Sequence, residues 1–176
     1  MKKSFLTLLV LGLFSIASIN GCAAQPANFG NFTTQTIEGK QISQEVFAQA
    51  DLTMINIWAT FCGPCLQEMP ELGEIAAAYS GKGVQLLGII ADADNQNGDI
   101  DLEQVDLAKE IISKTQANYV HLLPSPELNA IKLSKVNAVP ETIFVDKTGK
   151  ILGKPYVGSR SKDAWLKIIE ELRKGL

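Results

Sequence analysis

The sequence is short of the residue types that several chemistries require. Only one of its 176 residues is histidine and three are cysteine, whereas a structural zinc site needs four nitrogen or sulfur ligands. Sixteen Lys and Arg residues against nineteen Asp and Glu give a net charge of −3. The basic residues form no cluster that would supply phosphate contacts, which argues against nucleic acid as a partner. There is no internal repeat, and a chain of this length with 46% apolar residues suits one domain with its own hydrophobic core.

Charge is also missing from the N-terminal part of the chain. No charged residue occurs between Lys3 and Glu38, and residues 5–19 form a nearly unbroken apolar run. The run is shorter than the roughly 20 residues of a membrane span but suits the apolar core of an export signal. It ends in Ile19-Asn20-Gly21-Cys22. This tetrapeptide resembles the bacterial lipobox, which implies that Cys22 receives a lipid and becomes the new N-terminus.

These features predict a chain with three parts. We expect a lipoprotein signal peptide over residues 1–21, a membrane tether over residues 22–31 and a folded domain over residues 32–176. A plain cleaved signal with an incidental cysteine and an uncleaved N-terminal anchor are the alternatives. Lipidation of Cys22 accounts for the odd number of cysteines, because an exported protein with one unpaired thiol is unusual. The domain is therefore expected on the extracytoplasmic face of a bacterial membrane, where disulfide chemistry can operate.

Hydrophobic periodicity in the remaining chain predicts strands alternating with helices. Strands are expected over residues 32–37, 41–42, 52–58, 84–91, 119–123, 141–146 and 151–157, the last two joined by a turn at residues 147–150. Helices are expected from Cys62 to about Tyr79, along residues 102–112 and 127–136, and at a closing segment with apolar residues 165, 168, 169 and 172. This order is typical of an α/β fold with a mixed sheet.

The motif Cys62-Gly63-Pro64-Cys65 has four common interpretations. Attachment of c-type haem requires His directly after the second cysteine, where this chain has Leu66. A zinc site lacks ligands, since His121 is the only histidine and no second CxxC is present. An inert structural disulfide and a redox-active dithiol remain. The position of the motif between a predicted strand and a predicted helix favours the redox-active dithiol.

The physical reason lies in the start of that helix. Free backbone N–H groups and the positive end of the helix dipole face the Cys62 sulfur, which favours the thiolate and lowers the pKa of the thiol. Cys65 lies one turn further in and is expected to be more buried. Pro64 stiffens the first turn, where its missing N–H has no cost. Thiol–disulfide exchange needs one exposed, acidic sulfur to attack and a second sulfur nearby to resolve the mixed disulfide.

Residues 58–65, Trp-Ala-Thr-Phe-Cys-Gly-Pro-Cys, resemble the active site of thioredoxin-fold proteins. Over about residues 29–174 the chain resembles the membrane-tethered TlpA/ResA branch, on the motifs Gly39-Lys40, Asn56-Ile57-Trp58, Glu68-Met69-Pro70 and Val139-Pro140-Glu141-Thr142. The resemblance implies an α/β, thioredoxin-like fold. Its central mixed β-sheet is flanked by helices, with an N-terminal β-hairpin and an inserted strand/helix segment.

The resemblance also implies an extracytoplasmic thiol–disulfide oxidoreductase, most often a reductase. Expected substrates are exported proteins with disulfides, such as apocytochrome c or a methionine sulfoxide reductase, and the expected electron donor is a transmembrane thiol carrier of the CcdA/DsbD type. Cys62 is the nucleophile and Cys65 the resolving thiol, and beyond this redox-active disulfide no cofactor or metal is implied. Substrate contacts are expected from Trp58, Phe61, Gly63, Pro64, Val139 and a cis Pro140. For Pro140 alone, a trans proline opening the next strand is the alternative.

Two residues depart from the thioredoxin pattern. Phe61 stands where a tryptophan is usual, so the aromatic ring is kept and the indole N–H donor is lost. Asn56 occupies the position where thioredoxins bury an Asp, so the proton of Cys65 needs another acceptor. Glu68 lies three residues after Cys65 on the same predicted helix, which places both on one face. We therefore expect Glu68 to be the main proton acceptor, with Glu141, next to Pro140, as the alternative.

Two other functions are left open by the sequence. A thiol oxidase would use the same cysteines, because direction depends on the reduction potential relative to the partner. A non-catalytic copper-delivery module would use both thiols with a histidine, for which His121 is the one candidate. The acidic segment of residues 92–101 suggests a calcium loop, but an EF-hand register on Gly98 puts Ala93 and Gln104 where carboxylates are required. We interpret this segment as a solvated loop near the active site.

Overall fold

A computed structural model describes residues 28–95 and 98–176. The predicted signal peptide, Cys22 and most of the predicted tether lie outside these residues. Within the two described ranges, no helix has the length and apolar character needed to cross a membrane.

The described residues form seven strands and four α-helices. The strands are β1 (Thr33–Gln35), β2 (Gln41–Ser43), β3 (Leu52–Trp58), β4 (Val84–Ile90), β5 (Val120–Leu122), β6 (Glu141–Asp146) and β7 (Tyr156–Val157). The helices are α1 (Gly63–Tyr79), α2 (Leu102–Thr115), α3 (Pro126–Ile131) and α4 (Lys162–Arg173), with 3-10 helices at Gln44–Gln49 and Leu133–Lys135. Strands β1 and β2 form the expected antiparallel N-terminal hairpin.

A five-stranded mixed sheet in the order β5-β4-β3-β6-β7 forms the centre of the domain. Strand β3 pairs in parallel with β4 and antiparallel with β6. The segment of α2 and β5 between β4 and α3 adds an edge strand parallel to β4. The predicted thioredoxin-like α/β architecture, including the inserted segment, is confirmed.

Alternate residues of β3 face two separate packing layers. Leu52, Met54 and Trp58 pack with residues of α1, α2 and α4, and we call this side of the sheet the α1 face. Ile55 and Ile57 pack with α3 and the N-terminal aromatic residues on the α3 face. The strand is buried throughout, which explains why its sequence is a continuous apolar run rather than an alternating one.

The packed domain begins earlier than the sequence suggested. Residues 28–31 were expected in the tether, yet Phe29 is buried and its ring contacts those of Phe32 and Phe47. The N–H of Phe29 donates to the carbonyl of Gly149, 2.8 Å away, in the turn after β6. The chain thus enters the domain at the end of the sheet where β3 begins, because Leu52 pairs with Asp146.

Two predicted elements are shorter in the structure. Of the strand predicted over residues 151–157, only Tyr156–Val157 is a strand, with a single bridge between Val145 and Ile151. Gly153 has a positive φ of 76° and Pro155 has no N–H, and both features interrupt a ladder. The helix predicted over residues 127–136 ends at Ile131, because Lys132 leaves the helical conformation at φ −137°.

Candidate functional site

The CxxC motif lies where β3 ends and α1 begins, as the sequence predicted. Cys62 is the N-cap of α1, and its sulfur accepts a hydrogen bond from the N–H of Cys65 at 3.2 Å. Pro64 occupies the first turn, where it removes no helical hydrogen bond. An N-cap acceptor at this position satisfies one free N–H group and brings the sulfur to the positive end of the helix dipole. This geometry favours a thiolate at Cys62 when the pair is reduced.

Cys62 and Cys65 are joined by a disulfide, with their Cα atoms 5.2 Å apart. Cys65 is fully buried, as expected, but Cys62 is also buried, with 4% of its surface exposed. Its neighbours Phe61, Gly63 and Pro64 are exposed, Phe61 at 78%. In the disulfide form the sulfur expected at the surface is therefore covered, while the residues around it form the accessible surface.

Asp92 holds the loop that leads to Cys62, a role that sequence reasoning missed. Its carboxylate accepts from the Thr60 N–H at 2.9 and 3.1 Å and from the Thr60 hydroxyl at 2.5 Å. The oxygen of the same hydroxyl also lies 3.1 Å from the side-chain amide of Gln104, near the start of α2. Asp92 follows the end of β4, and the carboxyl ends of parallel strands meet at one edge of a sheet. The position of Asp92 directly after a predicted strand could have indicated this role. The neighbouring acidic residues suggested a solvated loop instead.

The Val139–Pro140 peptide bond is cis, as predicted. Val139 is half-buried and packs against the hydrophobic cluster that contains both cysteines. A groove of about 330 Å³ runs between the loop before α1 and residues 133–139, with Phe61 and Val139 among its lining residues. Phe61, Gly63 and Pro64 are thus exposed next to Cys62 in the chain, and Phe61 shares the groove with Val139.

Trp58 does not share that accessible surface. It was expected to contact substrate, but it is fully buried. Its indole N–H donates to Nδ1 of His121 at 3.2 Å. The Trp58 side chain thus packs inside the domain at the end of β3. The expectation of a substrate contact is wrong.

His121 uses both ring nitrogens inside the protein. Nδ1 accepts from Trp58, and Nε2 lies 3.0 Å from the carbonyl oxygen of Ala117, to which it donates. Burial lowers the pKa of this imidazole to about 4, so it is neutral at physiological pH. The copper-delivery alternative required a free nitrogen at this histidine, and both nitrogens are engaged.

Glu68 lies on α1, three residues after Cys65, and is buried. Its Oε1 accepts from Nδ2 of Asn56 at 3.0 Å, and its Oε2 accepts from the N–H of Arg160 at 3.1 Å. Asn56 Nδ2 also donates to the Thr142 hydroxyl at 3.1 Å. Burial raises the pKa of Glu68, and the two N–H donors partly offset that rise. A buried carboxyl with a raised pKa is suited to exchanging a proton near neutral pH.

Glu141 occupies the opposite face of the sheet. It pairs with Ile57 in the β3–β6 register, whereas Thr142 pairs with Asn56. Adjacent strand residues point to opposite sides, so Glu141 lies on the α3 face and Glu68 on the α1 face with the cysteine helix. The Glu141 carboxylate is buried in an ion pair with Lys132. The structure therefore brings Glu68, and not Glu141, onto the helix that carries the cysteine pair.

The CxxC motif lies at the N-terminus of the helix that follows the central strand of a mixed sheet. This combination defines a thioredoxin-fold protein. The Redoxin family model matches residues 24–166. The chain belongs to the Redoxin family, and its resemblance to the TlpA/ResA branch is confirmed.

Curated relatives and solved structures agree with this assignment. The thiol-disulfide oxidoreductase ResA of Bacillus thuringiensis subsp. konkukian is 30% identical over 124 residues, covering 69% of this chain and 64% of that relative. The chain thus spans less than two thirds of that relative's length. A thiol:disulfide interchange protein of Chlorobium tepidum superposes with a TM-score of 0.67 at 24% identity, covering 84% of this chain and 97% of that one. For the exposed lipoprotein thioredoxin of Streptococcus pneumoniae the values are 0.60, 23%, 81% and 99%. At these identities the two structures show the fold alone.

Proposed function

We propose that the protein is a thiol–disulfide oxidoreductase that reduces disulfides in exported proteins. The observation that carries the proposal is the disulfide-forming pair at the start of α1, with the Cys62 sulfur accepting the Cys65 N–H. An inert structural disulfide would not need its outer sulfur at a helix N-cap. That position stabilises a thiolate, which is the attacking species in exchange.

The reaction begins with the reduced pair. The Cys62 thiolate attacks one sulfur of a substrate disulfide, forms a mixed disulfide and releases the other substrate sulfur as a thiolate. Cys65 then passes its proton to Glu68 and attacks the Cys62 sulfur. This second step releases the remaining substrate thiolate and leaves the Cys62–Cys65 disulfide, so that two electrons pass from the protein to the substrate. A dithiol donor must then reduce the pair again.

Glu68 is suited to the second step because it is a buried carboxylate on α1, about one helical turn after Cys65. Its raised pKa makes it a stronger base than an exposed glutamate. For substrate binding, we propose that an extended segment lies in the groove between Phe61 and Val139 and pairs with the Val139 backbone as an added strand.

The N-terminal sequence supports a proposal for the setting of the reaction. The apolar run and the lipobox-like tetrapeptide support a lipid anchor at Cys22 on the extracytoplasmic face of a bacterial membrane. Apocytochrome c and a methionine sulfoxide reductase are candidate substrates there, with a transmembrane thiol carrier of the CcdA/DsbD type as donor. Replacing Cys22 with Ser should move the protein from the membrane fraction to the soluble fraction or leave the signal uncleaved. Identical partitioning and processing of both proteins would contradict the anchor.

Trapping tests the activity. A Cys65→Ser chain produced in the native cell should retain its substrate as a mixed disulfide on Cys62, which mass spectrometry of the non-reduced complex identifies. The double variant Cys62→Ser, Cys65→Ser is the matched control and should retain nothing. Recovery of equal amounts from both variants would contradict the proposal.

The resting redox state decides the direction. Alkylation of the wild-type protein in cells should find the pair mostly reduced and should modify Cys62 before Cys65. A mostly oxidised pair that becomes reduced when unfolded substrate is supplied would instead identify a thiol oxidase.

A further inference from the structure

Residues 157–160, which we call the covering segment, connect the two sides of the candidate site. The N–H of Gly158 donates to the carbonyl oxygen of Pro140 at 2.9 Å. Two residues later, the N–H of Arg160 donates to Oε2 of Glu68 at 3.1 Å. The covering segment therefore contacts both the cis-proline on the substrate side and the buried carboxylate on the cysteine side.

The side chain of Arg160 closes this segment on itself. Its Nη1 donates to the carbonyl oxygens of Val157 at 3.3 Å and Gly158 at 2.8 Å. The guanidinium lies over the rings of Tyr156 and Trp165, with centroid distances of 5.0 and 5.2 Å. Gly158 has a φ of 84°, a conformation that glycine adopts without steric cost. The turn is thus held by a planar cation that bonds two carbonyls and stacks on two rings, a combination particular to arginine.

We propose that Arg160 is a positioning residue for the proton transfer: its guanidinium clamps the covering segment so that the Arg160 main-chain N–H holds the carboxylate of Glu68, one helical turn after Cys65 on α1. This inference rests on the proposed function. Arg160 touches none of the reacting sulfur atoms and acts through Glu68 alone.

The groups that face Glu68 determine in which direction its pKa should change when the Arg160 side chain is lost. They are the Asn56 amide, the Arg160 N–H and guanidinium, the Trp165 indole and the Tyr119 hydroxyl. Burial raises the pKa of Glu68, and both the N–H and the positive charge of Arg160 lower it. Loss of the Arg160 side chain removes the charge and loosens the N–H donor, so the pKa of Glu68 rises further. Because the base must be ionised to accept a proton, resolution then needs a higher pH.

The test separates the attack of Cys62 from resolution by Cys65. Reduced protein carrying Cys22→Ser is mixed with a chromogenic aromatic disulfide, which releases one coloured thiolate on attack and a second on resolution. Both phases are recorded from pH 5 to pH 9. Arg160→Met keeps the aliphatic stem but removes the charge and the donors. Arg173→Met is the matched control, because Arg173 also stacks on an aromatic ring, that of Tyr79 at 5.6 Å, but lies at the far end of α4.

The rate of resolution should rise with pH as Glu68 ionises. In Arg160→Met we expect this rising limb of the pH profile to move to higher pH. At pH 7 resolution should slow about threefold, within the range measured for single charge interactions near a protein surface. The attack phase should be unchanged, Arg160→Lys should shift the limb less, and Arg173→Met should match wild type. A resolution profile in Arg160→Met or Arg160→Lys that superimposes on wild type would overturn the proposal. So would equal slowing of both phases at every pH, which indicates a structural role only. If the wild-type protein releases no thiolate at all, the proposed function fails instead.

Discussion

Replacing Asp92 with Ala should weaken the loop that carries Cys62. The carboxylate accepts both the N–H and the hydroxyl of Thr60, two residues before the cysteine. Hydrogen bonds to a charged group contribute about 1.5–3 kcal/mol each to stability. Asp92 is half-buried, and solvent can replace part of the lost contact, so we take the low end for the whole interaction.

The expected loss of unfolding free energy is therefore about 1.5–2 kcal/mol. For a domain of this size, such a loss lowers the melting temperature by roughly 3–8 °C. Asp92→Asn keeps one acceptor oxygen and should lose about half as much. Urea unfolding of the oxidised protein, followed by tryptophan fluorescence, measures the difference.

Asp99→Ala is the matched control, because Asp99 is an exposed carboxylate in the same acidic segment. Its free energy of unfolding should stay within about 0.5 kcal/mol of wild type, the range typical of surface substitutions. If Asp92→Ala and Asp99→Ala unfold at the same urea concentration, Asp92 does not hold the loop and the reasoning is refuted.

Two other substitutions test the packing and the electrostatics of the α1 face. Glu68→Gln should be more stable than wild type at neutral pH. The raised pKa means that folded Glu68 binds its proton more tightly than unfolded Glu68, so wild type loses stability as the pH rises from about 4 through the folded pKa. A stability difference that does not change between pH 4 and pH 8 would contradict this. Gly73→Ala should destabilise by about 2 kcal/mol, because its Cβ would lie 2.4 Å from the carbonyl oxygen of Gln116. Gly63→Ala is its control, since the space around Gly63 is open, and similar thermal unfolding of both variants would refute the steric argument.

The sequence predicted those strands and helices that have a clear hydrophobic pattern. The run over residues 52–58 predicted β3 to the residue, and the closing apolar stripe predicted α4. Local signals were weaker after β6. There Leu152 donates to Phe144 and Ile151 bridges Val145, but Gly153 and Pro155 interrupt the strand before it pairs again at Tyr156. Apolar residues alone do not reveal such an interruption.

The candidate site was predictable only in part. The CxxC motif, the cis-proline and the i,i+3 position of Glu68 are local features, and the structure places each as expected. The contacts made by Asp92 and Arg160 join residues 32 and 92 positions apart, a separation that only the sheet topology brings together. Trp58 was misassigned because its motif indicates the site but not the face of the strand that it occupies.

The point where the chain enters the domain has a practical consequence. Phe29 joins the turn at Gly149, beside the first residue of β3, whereas the disulfide follows the last residue of that seven-residue strand. The two points are therefore separated by the length of the strand, about 20 Å. A bead or sensor surface coupled ahead of residue 28 leaves the end of the domain that carries the cysteine pair facing the solution. Immobilised in this way, the protein can be used as an affinity reagent whose attachment chemistry does not obstruct the captured thiol protein.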